Sequence, residues 1–237
     1  MVYLYHLIFK YPILNLLVFF YQTIAFHDLG LAIIFVTLFI RVILYPFFHA
    51  GAKQQVLMQR IQPHVKKIQE EHKHDREKQS QALMELYKEH GVNPFSGFLL
   101  LIVQLPILIA LYRIMLSNLG GGALAGLYSW NPGPAHITSF FLGFIDLRVA
   151  NVWFVLAAAV AQYFQGRLAI WRDPNNTAPL SAPEKMAQRM TFIGPAITVA
   201  ILYRLPAAVG IYWLTTSIFS IIQQIIVNRH LRAKMDK

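Results

Sequence analysis

The sequence predicts an all-α membrane protein with five transmembrane helices, an N-terminal interfacial amphipathic helix and a cytosolic helical hairpin. Three observations carry this. Of 237 residues, 56% are hydrophobic and only 14% charged, against about 25% charged in a typical soluble domain, which leaves too little charge to cover a soluble surface. Five long apolar stretches are separated by short polar ones. Between the first two lies one strongly polar segment in which apolar residues recur at helical spacing.

The first 28 residues have two readings. Pro12–Phe26 is apolar over 15 residues, with Asn15 and Gln22 seven apart on one helical face. That is short for the ~20 residues a spanning helix needs. Length therefore favours a helix lying in the outer interface over an extra span. A signal peptide is not expected, because Lys10 is the only early base and no small-x-small site follows.

Span one is Gly30–Phe48, interrupted by Thr37 and Arg41. Residues 53–90 follow, with eight bases and six acids in mixed order. Val56, Ile61, Val65 and Ile68, and then Leu83, Leu86 and Tyr87, recur at helical spacing on either side of His74-Asp75. Asp75 suits the N-cap of a second helix and Gly91 its end. Asn93-Pro94 suits the start of the next helix.

Spans two and three are Phe95–Ser117 and Val149–Leu168, and spans four and five are Met190–Leu205 and Ala207–Val227, hinged at Pro206. The fourth, with 16 residues, would reach only about 24 Å. The chain thus divides into an outer interfacial helix (1–28), span one (29–50), the hairpin (51–92), span two (93–118), an outer loop (119–147), span three (148–169), a cytosolic loop (170–189), spans four and five (190–227) and a tail (228–237).

Sixteen of the 21 Lys and Arg residues fall in the hairpin, the stretch from Arg167 to Arg189 and the tail, and three on the opposite side. The positive-inside rule then places the N-terminus outside and the C-terminus in the cytosol. It also accounts for the net charge of +10 without a specific nucleic acid.

Cysteine is absent, which excludes thiolate metal sites and cysteine catalysis. His64, His72, His74 and His90 have no metal-site spacing, and no nucleophile–base motif stands out. Neither a metal, a cofactor nor an enzymatic activity is expected.

Arg41 is the most informative residue. It lies about two residues past the middle of span one, where an arginine costs ~2.5–3.5 kcal/mol on insertion scales. All eleven acidic residues lie outside the five spans, so no carboxylate is an evident partner. Thr37 and Tyr45, at i−4 and i+4, share its face, and Pro46 removes a backbone donor and can bend the helix there. Gln104, Gln162, Gln165 and Thr215-Thr216-Ser217 supply further intramembrane polarity. Singly each suits interhelical hydrogen bonding, and together with Arg41 they suggest one hydrophilic groove. Arg113, four residues from the outer end of span two, can snorkel and is expected to be structural.

The stretches FIRVILYPF, QRIQPHVKKIQEEH, MELYKEHGVNPFSGFLLLIVQLPILIALY and LPAAVGIYWLTTSIFSIIQQ resemble the YidC/Oxa/Alb family of membrane protein insertases, in the same order from about Pro12 to Arg232. The resemblance implies five core helices, an outer interfacial helix, a cytosolic hairpin and a groove open to cytosol and lipid. It implies that Arg41 is the groove arginine and that Thr37, Gln104, Gln165 and Trp213 line the path of the inserting chain, although many members have Tyr at the position of Trp213. Tyr45 and Thr216 join this expected groove from their position. The chain departs from the family pattern in three respects: Ala207-Ala208 replaces a Ser-Gly pair, the tail is short, and neither the large outer domain nor the lipobox of many members is seen. The function implied is an insertase or chaperone in the plasma (inner) membrane of a bacterium. Its partners would be newly made membrane proteins and the lipid bilayer, and also a translocon and a ribosome, the latter held weakly by so short a basic tail. Two rivals stand beside it: an anion or small-solute transporter using Arg41, and a chaperone that only holds other membrane proteins.

Overall fold

The computed structural model describes residues 2–116, 124, 126–170 and 182–233, and it is almost entirely helical. The N-terminal helix runs from α1 (Val2–Tyr5) through a π-helical turn (His6–Lys10) into α2 (Tyr11–Thr23). Then come α3 (Leu29–Ile43), α4 (Tyr45–Arg60), α5 (Gln62–Glu71), α6 (Arg76–Glu89) and α7 (Ser96–Leu116). Two antiparallel strands, β1 (Phe140–Phe141) and β2 (Ile145–Asp146), precede α8 (Val152–Ala169), α9 (Ala182–Leu202) and α10 (Ala207–Ala233).

Two of these helices are long and apolar enough to cross a membrane, Tyr3–Thr23 and Ala207–Leu231, and a third span is possible if α3 and α4 are taken together across a 71° bend. Ile102–Leu116 and Thr191–Leu202 are shorter apolar helices. The expected Asn175 loop and Lys237 tail positions lie outside the described residues.

Several boundaries differ from expectation for identifiable reasons. The expected span Gly30–Phe48 is broken at Leu44, whose φ of −88° and ψ of 7° leave the helical region. Pro46 sits in the first turn of α4, where its missing N–H would have no partner anyway. The proline thus begins a new helix rather than bending an old one.

The N-terminal helix is longer than its 15-residue apolar run, because the π-turn carries it through His6 and Lys10. Its polar face does not look to lipid headgroups. Asn15 is buried, its amide donates to the Gly126 carbonyl at 3.0 Å, and its side-chain oxygen accepts from the Tyr128 N–H at 2.8 Å. Asn131 donates to the Asn15 carbonyl at 2.9 Å, and Gln22 donates to the Pro132 carbonyl at 2.9 Å.

α9 begins in the polar stretch before Met190, so its apolar part is shorter than the whole helix. α10 continues past Val227 to Ala233.

The main apolar core gathers at one end of the bundle. It joins Leu14, Leu17 and Val18 of α2, Leu29, Ile33 and Val36 of α3, Ile107, Leu111 and Ile114 of α7, and Ala207, Ala208 and Ile211 of α10. Leu147 and Ile137 of the intervening loop close it. Gly30 permits this closure, since a methyl group there would overlap the Phe141 ring.

At the other end α5 and α6 form a small separate core of Ile61, Val65, Leu86 and Val92. Asp75 caps α6 by accepting the Lys78 N–H at 3.0 Å. Gly91, with φ of +60°, turns the chain out of the hairpin. Val56 does not join this core. It packs against Val227 and Leu231 of α10, which ties the root of the hairpin to the last helix.

Candidate functional site

The break at Leu44 sets the position of Arg41. The residue lies in the last turn of α3, where the unsatisfied carbonyls of a helix C-terminus favour a cation. It is thus near the end of its helix, just before the bend. The side chain is 8% exposed. Its Nη2 donates to Gln104 Oε1 at 3.2 Å, and its guanidinium carbon stands 4.1 Å over the Phe48 ring. The Gln104 amide donates in turn to the Tyr212 hydroxyl. Neutral groups from α7, α4 and α10 therefore hold the charge, and among the described residues no carboxylate pairs with it.

Beside Arg41 opens a cavity of about 590 Å³, within the range of ligand-sized clefts. The helix α4 contributes Phe48, Gly51, Ala52 and Gln55, at spacings of three, one and three, which is one helical face. Gln162 and Gln165 come from α8. The face of α10 bearing Trp213, Thr216, Ser217, Ser220, Gln223 and Gln224 completes the wall. Because the lining includes α4 and Pro94, the cavity sits at the hairpin end of the bundle, opposite the apolar core.

The expected groove residues divide into two groups. Arg41, Gln104, Gln165, Trp213 and Thr216 line this cavity together. Thr37 is fully buried, donates to the Ile33 carbonyl at 2.6 Å, and borders only a void of about 10 Å³ between Arg41 and Tyr212. Tyr45 is not among the lining residues. The break at Leu44 removes the i+4 relation to Arg41, and the Tyr45 ring instead stacks on His49 at 5.4 Å and meets the edge of Phe219 at 6.4 Å. Its carbonyl accepts from Gln223 Nε2 at 3.3 Å.

Gln162 and Ser217, expected only as part of the intramembrane polarity, also line it, whereas Phe48, Tyr212, Gln223 and Gln224 had no place in the expected site. The α10 members share the 3, 4 and 7 spacing of Trp213, Thr216 and Ser220, so extending that stripe along the helix would have found them.

The chemistry of the cavity is that of solvation. Among the described residues its lining holds no Asp, Glu, His or Lys. One cation, five hydroxyl groups and a set of glutamine amides can attract negative charge and give hydrogen bonds to a polar chain.

A family described as 60Kd inner membrane protein matches residues 19–234. The chain is 29% identical over 224 residues to a membrane protein insertase YidC of Geobacter metallireducens, which covers 94% of this chain and 37% of the relative. It is 32% identical over 210 residues to a protein of the same name from Francisella philomiragia, covering 88% and 34%. The chain therefore spans about a third of the length of these curated relatives.

Proposed function

The chain belongs to the 60Kd inner membrane protein family, the YidC/Oxa1 family, and from that premise we propose that it is a membrane protein insertase and chaperone. The observation that carries the reading is the buried cation of Arg41 facing a polar cavity, with no acidic partner among the described residues. A polar segment of an arriving protein would exchange bulk water for the glutamine and hydroxyl groups of the cavity, and Arg41 would draw acidic groups into it. The substrate's hydrophobic span would leave sideways into lipid. Burial of that span supplies roughly 25 cal/mol per Å², and the membrane potential adds about 2.3 kcal/mol per charge per 100 mV for acidic segments.

Thinning of the bilayer would shorten the crossing. The apolar part of α9, Thr191–Leu202, is about 18 Å long at 1.5 Å per residue, well below the ~30 Å of a hydrocarbon core.

In this reading α3, α7, α8, α9 and α10 are the five core helices, and the α5–α6 pair faces the cytosol with the cavity. The N-terminal helix lies along the outer end. Its contacts favour this placement: Tyr5 meets Arg113 in the last turn of α7, Asn15 bonds to Gly126, and Tyr21 bonds to Thr138. The orientation predicts that a cysteine at half-buried Gln79 of α6 is modified by an impermeant maleimide only from the cytosolic side. Modification from outside would overturn the orientation and the groove reading together.

Function is tested by reconstituting the purified chain into proteoliposomes with a short single-span substrate that has an acidic outer segment. Protease protection of that segment should rise several-fold over empty vesicles. Uptake of a radiolabelled anion without protein insertion would favour the transporter, and substrate binding without protection would favour the holding chaperone.

A further inference from the structure

The end of the bundle remote from the hairpin presents bulky apolar side chains from strained backbone. Among the described residues, three that are not glycine have positive φ: Phe26 at 53°, His27 at 59° and Leu142 at 50°. A large side chain rarely occupies this region, and where it does the strain is often tied to function. Here Phe26 is 87% exposed and Leu142 55%, while Phe144, two residues on, is 72% exposed. The strain does not serve to bury these groups, because it holds them outward.

The two turns are fastened to each other. The Asp28 carboxylate accepts the Leu31 N–H, capping α3, and with its second oxygen accepts the Leu142 N–H. Thr138 donates to the His27 carbonyl at 3.2 Å. Within the β1–β2 hairpin Phe141 turns inward against Gly30 and Phe154, so its neighbours on either side turn out.

We propose that Phe26, Leu142 and Phe144 form an anchor that dips into the lipid of the adjacent leaflet and fixes the depth of this end of α3. Two observations favour lipid over a protein partner. The Leu142 and Phe144 N–H groups already have partners, Asp28 and the Phe141 carbonyl, and backbone entering hydrocarbon needs its polar groups satisfied internally. The patch also continues into an exposed apolar stripe on α8, Trp153, Leu156, Val160 and Phe164, at helical spacing, which in an inner membrane family member is a lipid face. The exposed Trp153 stands at the first turn of that stripe, a position typical of the aromatic belt at a bilayer interface.

The chain has no cysteine, so Phe26→Cys and Phe144→Cys can each carry a single nitroxide on the full chain in phosphatidylethanolamine–phosphatidylglycerol vesicles. Power saturation then compares collisions with oxygen and with a water-soluble nickel chelate, with Gln79→Cys on α6 as the aqueous control. Oxygen should dominate several-fold at 26 and 144, and the chelate at 79. Chelate dominance at 26 and 144 would overturn the anchor, and so would a label immobilised and shielded from both agents, which would mean that protein covers the patch. The readout is depth in the bilayer, so it stands or fails apart from insertion through the groove.

Discussion

Arg41→Ala is expected to lower insertion of a single-span substrate with an acidic outer segment by about tenfold, the equivalent of losing one charged hydrogen bond of ~1.5–3 kcal/mol discounted for water in the cavity. Arg41→Glu should be worse through repulsion of the acidic segment. Arg41→Lys should retain most activity. An ammonium keeps the charge and can still sit over the Phe48 ring, a contact of about 0.5–2 kcal/mol, while it gives up the planar geometry with which Arg41 meets Gln104. Contact with many different substrates has to be brief, so charge should outweigh geometry. Substrates without acidic residues should respond much less. If Arg41 only holds helices together, Ala and Glu would lower melting temperature and insertion alike for every substrate. Melting and insertion measured on the same preparations separate the two, and a stable Arg41→Ala protein that inserts acidic substrates at the parent rate would rule out the electrostatic role.

Replacing residues 60–88 by a short linker is expected to leave the membrane bundle folded and to cut insertion several-fold. The independence of the bundle follows from packing. The core of the α5–α6 pair is its own, built on Ile61, Val65 and Leu86. The tie of α4 to α10 through Val56, Val227 and Leu231 lies outside the replaced segment. Gln54, which donates to the Gly91 carbonyl at 3.3 Å and accepts the Asn93 N–H at 3.0 Å, also lies outside it and can hold the linker ends near each other. Undiminished insertion would reduce the hairpin to a connector. Loss of cooperative melting would show that the bundle needs it.

The sequence made the hairpin legible because its apolar residues are few and stand out against charge, and because Asp75 and Gly91 have local roles that need no tertiary context. It made Arg41 legible because a lone charge in an apolar run is conspicuous. The elbow at Leu44 was not legible. Pro46 is compatible with a bend inside a helix or with the first turn of a new one, and only packing between α4 and α10 selects the second. Placing Tyr45 beside Arg41 relied on continuous helix and failed with it. Trp213 entered the expected site through the family resemblance and Thr216 through its polarity within an apolar run, and helical spacing from these two extends along α10 to Gln223 and Gln224. The β1–β2 hairpin has strands of two residues, too short for any period to register. Asn15 was misjudged for a related reason: a polar residue on an apolar helix looks solvent-facing until the loop that bonds to it, more than a hundred residues away, is known.

That distance has a consequence in time. The partners of Asn15 lie 111 to 116 residues later in the chain. At the usual 5–20 residues per second of synthesis, roughly ten seconds separate the emergence of the helix from that of the loop that fastens it. During that interval the first helix has no side-chain bond from Asn15 to the outer loop and must be kept near its final place by its own apolar surface. The helix is therefore fastened only after α3 to α7 have been made, so at this end of the molecule locking lags well behind synthesis.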